Sequence, residues 1–367
     1  MQSKGIRNCS VQMAPKKIIY PIFLPHAGCP FQCIYCNQNA VTSAGSAEEE
    51  FLPSVLRRLY AHAEEARRLE RPGEIAFFGG TFTALAPELI GPILQAASAY
   101  VREDIFTGIR FSTRPDCLGR EVLELLSGFP VQTVELGVQS LSEEVLAASR
   151  RGYSGGDVRK AVASVKEKGW SLGIQLMAGL PGDKAGLLLE SVRLAIEMRP
   201  DFLRIYPTLV LRGTALAALF NKGEYKALSL DDAIAWLEPA YDMLLHADIP
   251  IIRMGLHPDA ALEEPGVVLA GPIHPSFGYL VKCRWWRNRV DAKFASLPET
   301  AGCKLLLRVP ANQISEVVGP ARENVRHWKT KWHLESLEVK TEQELHGMEM
   351  QLECQHIINT RRRPSDG

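Results

Sequence analysis
The chain has 367 residues, 46% of them hydrophobic and 23% charged, with 42 Lys+Arg against 42 Asp+Glu. That composition excludes a disordered or fibrous chain and leaves apolar material for one large domain and a smaller one. The balanced charge points to no class of partner. No run approaches the roughly 18–20 apolar residues of a membrane span, and the lysines of residues 1–17 precede no apolar segment of signal-peptide length. The sequence therefore predicts a cytoplasmic chain with no membrane contact.

After an N-terminal tail (1–17), short apolar runs alternate with amphipathic stretches, the pattern of βα units and a parallel sheet. Strands are expected at Ile18–Leu24, Glu74–Phe78, Ile109–Ser112, Thr133–Val138, Ser171–Met177 and Phe202–Thr208. Helices are expected at Ala47–Glu70, Pro87–Arg102, Arg120–Leu126, Gly156–Lys168 and Lys184–Met198, then Leu230–His246 before a possible last strand at Ile249–Met254. Six such units suit an open α/β barrel over residues 18–256. Each strand runs into a Gly, Pro or polar cluster: Gly79-Gly80-Thr81, Thr113-Arg114-Pro115-Asp116, Gln139-Ser140 and Gly179-Leu180-Pro181-Gly182. In parallel barrels that end of the strands carries the active site. A smaller α+β extension is expected over 257–345, and a tail over 346–367 that ends in disorder. Within the extension, Val281–Lys340 holds 12 Lys/Arg against 6 Asp/Glu, with Trp285, Trp286, Trp328 and Trp332 interleaved. Cations among aromatics suit unpaired nucleic acid, although a net +6 is modest and tryptophans also serve as core.

Three of the eight cysteines, Cys29, Cys33 and Cys36, fall within eight residues of one another, in a loop after the first strand. Cys9, Cys117, Cys283, Cys303 and Cys354 are scattered singly. Clustered thiols without a secretory signal read as metal ligands rather than as a disulfide framework. The C-x3-C-x2-C spacing fits an iron–sulfur cluster with one iron left open, or a zinc site that takes His26 as its fourth ligand.

With Tyr35 in its aromatic slot, this motif resembles the radical S-adenosylmethionine (radical SAM) signature. Gly79-Gly80-Thr81, Ser112-Thr113-Arg114-Pro115-Asp116, Glu135 to Ser140, Arg151-Gly152-Tyr153 and Gly179 to Gly182 follow in that superfamily's order. The stretches Arg204 to Thr214 and Gly271 to Gly278 are similar to the radical domain of the Elongator catalytic subunit, which modifies wobble uridine in tRNA. The resemblance runs from about residue 20 to 282. It implies a partial (β/α)6 radical SAM barrel, a [4Fe–4S] cluster on the three cysteines, and cleavage of S-adenosylmethionine to a 5′-deoxyadenosyl radical for tRNA modification. It also implies an electron donor of the flavodoxin or ferredoxin type. The chain shows no acetyl-CoA-binding loop, so acetyl-dependent chemistry is not expected to carry over.

The resemblance assigns Gly79, Gly80 and Thr81 to the methionyl amino group, Arg151 to its carboxylate, Gln175 to the ribose, and Gly179 to Gly182, with Leu180, to the adenine edge. Gln139 points into the same pocket by strand parity with Glu135, or is a satisfied core amide. Ser112 and Arg114 bond ribose or carboxylate, or complete a strand end. Tyr206 is expected to fill the lumen, and His274 to be structural or to face substrate. Because Gly-Leu-Pro-Gly and Gly-Val-Gln-Ser also resemble oxygen-independent coproporphyrinogen oxidase, a small-molecule substrate is the second reading. A non-catalytic cluster- or zinc-binding RNA module is the third.

Overall fold
The computed structural model describes residues 18–24, 29, 33–37, 48–256 and 260–355. They fall into two compact units that meet at Gly278 and Tyr279. The sequence places the boundary near residue 256. The first unit runs further because Val268–Ala270 returns to pair with Val210–Leu211.

The first unit is built on a curled sheet of seven parallel strands. In chain order these are β1 (Ile19–Phe23), β2 (Gly73–Phe78), β3 (Phe106–Thr113), β4 (Val131–Gln139), β5 (Ser171–Ala178) and β6 (Phe202–Pro207). After the two-residue β7 (Val210–Leu211), β8 (Ile251–Met254) closes the row, so the sheet order is β1-β2-β3-β4-β5-β6-β8. The short β9 (Val268–Ala270) pairs with β7. The expected partial barrel is therefore present, with Ile251–Met254 as its seventh strand. Helices connect the strands, and three begin on side-chain caps: Ser154 and Asp157 form a reciprocal capping box, Thr214 accepts from Ala217 N, and Ser229 accepts from Asp232 N.

The two sheet faces differ sharply in chemistry. Ile75, Phe77, Ile109, Phe111, Val134, Leu136, Ile174, Leu176, Leu203 and Ile205 are all at most 1% exposed and form the apolar face. Phe82 stacks between Phe77 and Phe111, with centroids 5.2 and 4.9 Å away. The helix Pro87–Arg102 buries Ile90, Ile93, Leu94 and Ala97, spaced three and four apart as one helical stripe. The alternate positions carry Glu74, Arg110, Thr133, Glu135, Gln175, Arg204 and Tyr206. A parallel strand covered on both faces is normally apolar throughout, so this polar row marks the concave face as something other than core.

In the second unit β10 (Lys304–Pro310) pairs parallel with β11 (Ser336–Glu342) and antiparallel with β12 (Gln351–Gln355). The helices Phe277–Ala295 and Glu323–Lys331 contribute its large aromatics. The expected α+β extension is thus observed, and residues 351–355 of the expected tail form an ordered strand.

The basic, tryptophan-bearing segment is corrected by the structure. Trp285, Trp286 and Trp328 are 2%, 1% and 0% exposed, so they offer no face to a base. Trp286 donates to Gln313 Oε1 at 3.1 Å, Trp328 to Arg287 O at 3.2 Å, and Trp332 to Asp291 Oδ1 at 2.7 Å. The cations are engaged as well: Arg287 with Asn324 and Glu323, Lys331 with Asp291, which also meets the His327 ring, and Arg308 with Glu353. These tryptophans and cations build a core and its rim. Among the described residues no helix is long and apolar enough to cross a membrane.

Candidate active site
The cysteine segment leaves the C-terminal end of β1 and is anchored through its middle. Ile34 N donates to Ser149 O at 3.4 Å and Ile34 O accepts from Leu216 N at 2.7 Å. The Ile34 side chain is buried with Val210, Leu216 and Ala217. Cys36 N closes a turn on Cys33 O at 3.0 Å, which sets those two thiols on one turn. Asn37 Nδ2 then holds Arg212 O at 2.7 Å. Cys29 Sγ meets Thr81 Oγ1 at 3.1 Å, directly after the Gly79-Gly80 pair. Both glycines have positive φ (82° and 50°), a backbone that turns sharply after β2 and suits residues without a Cβ.

Two arginines converge on Cys33. Arg151 is 5% exposed and its guanidinium is largely engaged. It donates to Cys33 Sγ and Tyr35 Oη at 3.1 Å each, to Tyr153 Oη at 2.9 Å and to Gly137 O at 2.6 Å. Arg114 reaches Cys33 Sγ at 3.8 Å, bonds Arg151 O, and forms a two-pronged pair with Asp116 at 2.9 Å. Burial holds the Tyr35 phenol well above its ordinary pKa although Arg151 pulls the other way. Burial likewise pushes Tyr153 up to about 12. Two phenols and two guanidinium groups thus gather around the Cys33 sulfur. Cys117, by contrast, is pushed up to about 11 by burial and by Asp116, the reverse of what a ligand needs.

Further along the strand ends, Gln175 Nε2 donates to Gln139 Oε1 at 3.2 Å. Gln139 reaches this position through a break in the β4–β5 register after Gly137 and a φ of 64°, not through simple parity with Glu135. Such a backbone is costly for a side-chain-bearing residue and clusters at functional sites. Gly179 has φ 78°, and a Cβ there would lie 2.6 Å from Leu228 Cδ1. Its N–H donates to Asp183 Oδ2 at 2.9 Å and its carbonyl accepts from Tyr225 Oη at 2.6 Å, so the Gly179–Gly182 turn is held from two sides. Burial raises the Asp183 carboxyl to about 6 and raises the Tyr225 phenol. Leu180 is buried, and Ser112 is half-buried in register with Glu135. His274 Nδ1 accepts from Ser276 N at 3.0 Å within its own turn.

The sequence reading missed the ionic chain behind this rim. Arg110 bonds Glu135 Oε1 at 2.6 Å and Glu74 Oε2 at 3.1 Å, and Thr133 bonds Glu74 at 2.5 Å. Arg204 bonds Glu135 Oε2 at 2.7 Å and reaches across the concave face to lie 5.5 Å from the Phe78 ring centre. The signal was available as a charged residue at alternate positions of strands that are otherwise apolar.

The thiols, the glycine turn and the strand-end polar groups suit a cofactor that is bound through soft ligands and backbone contacts. Among the described residues no three Cys, His, Asp or Glu side chains are already gathered to hold a metal ion, and His26 lies outside the described residues. The fit to an iron–sulfur cluster therefore rests on the donor set: three thiols of one short loop, one of them beside two guanidinium groups. A parallel half-barrel with such a loop at its C-terminal rim defines an iron–sulfur-dependent enzyme scaffold.

Comparison with known proteins makes this specific. The Radical SAM superfamily model matches residues 23–195, and the Radical_SAM C-terminal domain model matches residues 200–287. The chain belongs to the radical SAM superfamily, whose cofactors are a [4Fe–4S] cluster and S-adenosylmethionine. A tRNA uridine(34) acetyltransferase of Dehalococcoides mccartyi is 30% identical over 230 residues, covering 54% of this chain and 50% of the relative. Human Elongator complex protein 3 is 31% identical over 182 residues, covering 44% and 33%. An uncharacterized protein of Methanocaldococcus jannaschii is 27% identical over 248 residues, 66% of this chain and 71% of its own length. The archaeal Methanocaldococcus infernus Elp3 structure shares the fold with TM-score 0.55 and 21% identity, over 75% of this chain and 62% of that one. The chain spans about half the length of the tRNA uridine(34) acetyltransferases it matches.

Proposed function
We propose that this enzyme cleaves S-adenosylmethionine reductively at a cluster held by Cys29, Cys33 and Cys36, and acts on a uridine of tRNA. The observation that carries the RNA part is the similarity to tRNA uridine(34) acetyltransferases, 30% identical over 230 residues for that of Dehalococcoides mccartyi. The cofactors supply one-electron chemistry at a carbon–sulfur bond. The protein supplies placement. Arg151 ties the Cys33–Tyr35 turn to the end of β4 through Gly137, fixing the cysteine segment against the sheet. Gly79, Gly80 and Thr81 present backbone and hydroxyl beside Cys29. Gln139 and Gln175 offer a bonded amide pair over the strand ends, and the Gly179–Gly182 turn with Leu180 offers backbone edges for an adenine. Arg114 braces Arg151 through its backbone carbonyl, and Ser112 adds a hydroxyl to the same rim. A flavodoxin or ferredoxin is the expected class of electron donor.

The test is 5′-deoxyadenosine formation with reductant, with and without unmodified tRNA, alongside mass spectrometry of the tRNA nucleosides. The proposal predicts tRNA-stimulated 5′-deoxyadenosine formation and a new mass on uridine. Turnover stimulated by no RNA but by a small metabolite would replace the tRNA part.

A further inference from the structure
The polar positions of the concave face form one continuous row across four strands. Register pairs Gly137 of β4 with Gln175 of β5, Gln175 with Arg204 of β6, and Arg204 with Arg253 of β8. Residues in register on adjacent strands leave the sheet on the same face. The row therefore begins at the residue whose carbonyl holds Arg151 and ends at two arginines paired in register, Arg204 and Arg253.

The charges along this face do not balance. Glu74 and Glu135 are matched by Arg110 and Arg204 through the bonds described above. Arg253 is the additional cation. It is half-buried, and no acceptor meets it among the described residues. Like charges side by side on adjacent strands destabilise a sheet. Arg204 itself is held by Glu135 at 2.7 and 3.1 Å and meets Tyr206 Oη at 3.3 Å, which engages three of a guanidinium's five N–H donors. Two donors of Arg204 and the whole fork of Arg253 remain for a ligand.

We infer that Arg204 and Arg253 form an anion subsite that takes a phosphate of the nucleotide substrate. Strands lie about 4.8 Å apart, so the subsite is one to two spacings, about 5–10 Å, from the Gln139–Gln175 pair. Paired guanidinium forks match a phosphate's oxygens in number and in geometry. The Glu135 carboxylate keeps Arg204 from swinging away, and the Phe78 ring supports its plane. The anion is then a fixed point from which the base extends toward the cysteine rim. This inference rests on the RNA reading of the proposed function, and it adds where the substrate is gripped.

Calorimetric titration of the full, cluster-reconstituted chain with uridine 5′-monophosphate, uridine, inorganic phosphate and succinate tests it. The expected result is that the monophosphate binds at least tenfold more tightly than uridine or either small anion. Arg253→Gln should lose about tenfold to hundredfold of that affinity, the scale of hydrogen bonds to a charged group, while Arg253→Lys recovers part of it. Thermal melting of both variants confirms that they are folded; Arg253 is partly exposed, so the substitution leaves no cavity. Equal binding of uridine and its monophosphate overturns the inference, as does parental affinity in Arg253→Gln. Small anions that bind as well as the monophosphate overturn the nucleotide assignment. Iron content and S-adenosylmethionine cleavage by the parent report on the radical assignment separately. A parent that cleaves the cofactor but binds no phosphate sinks the anion subsite alone.

Discussion

Arg151→Ala is the perturbation that best separates positioning of the cysteine segment from cofactor binding. The side chain is 5% exposed and donates to Cys33 Sγ, Tyr35 Oη, Tyr153 Oη and Gly137 O. Tyr153 Oη stays within 2.8 Å of Gly137 O, so that carbonyl keeps a donor. The Tyr35 hydroxyl and the Cys33 sulfur lose the Arg151 donor. Hydrogen bonds to a charged group contribute about 1.5–3 kcal/mol each and do not add fully. We expect a loss on that scale, concentrated in the Cys33–Tyr35 turn. The assay is denaturant unfolding, paired with iron analysis after anaerobic reconstitution. Arg151→Ala should lose stability and retain less than half of the parental iron. Arg150→Ala should stay within about 0.5 kcal/mol and keep its iron, as surface positions do. An Arg151→Ala protein with parental stability and full iron, but weakened S-adenosylmethionine binding, would refute the positioning argument and return Arg151 to a purely ligand-binding role.

Glu135→Gln should destabilise by about 3–5 kcal/mol in unfolding experiments, because it strips the shared carboxylate from buried Arg110 and half-buried Arg204; a loss below 1 kcal/mol would show that the chain is not cooperative. Asp183, raised to about 6 by burial, binds its proton more readily folded than unfolded, so its contribution is full below about pH 4 and is lost as pH rises through about 6. Asp183→Asn should flatten that decline and gain about 1–2 kcal/mol at pH 8 after allowance for partial solvent screening; an unchanged slope between pH 4 and 6 would contradict it. Charge reversal at Arg284, Arg287 and Arg289 should lower the melting temperature, since Arg287 holds buried Asn324 at 2.8 Å and Arg289 lies 5.3 Å from the Trp285 ring centre. A variant that melts as the parent does but loses tRNA affinity would restore the nucleic-acid reading of that segment.

Much of the barrel was legible because parallel strands and amphipathic helices differ in period. Pro87–Arg102 and Leu230–His246 are found at the expected bounds, and all seven sheet strands fall within two or three residues of expectation. Glu143–Ala148 and Ala215–Asn221 were missed, being too short for a helical period to declare itself. The cysteine loop was legible from spacing alone. What Arg151 and Gln139 do was not. Arg151's partners lie on three separate segments, and Gln139 depends on a register break that sequence does not announce. The tryptophans misled for a related reason. A buried Trp and a base-stacking Trp look identical in one dimension, and only the counter-ions of Arg287 and Lys331, supplied by residues 36 and 40 positions away, reveal a packed unit.

The central claim is that Cys29, Cys33 and Cys36 hold the cluster at which S-adenosylmethionine is cleaved. Anaerobic reconstitution of the parent, of the three single Cys→Ala variants at those positions, and of Cys117→Ala and Cys354→Ala tests it in one series. Iron, sulfide and 5′-deoxyadenosine after reduction are read together. The account predicts four iron and four sulfide per chain, with cofactor cleavage, in the parent and in the Cys117 and Cys354 variants, and loss of both in each of the other three. Full iron in any variant of the three clustered cysteines, or a zinc-loaded parent that forms no 5′-deoxyadenosine, would contradict it.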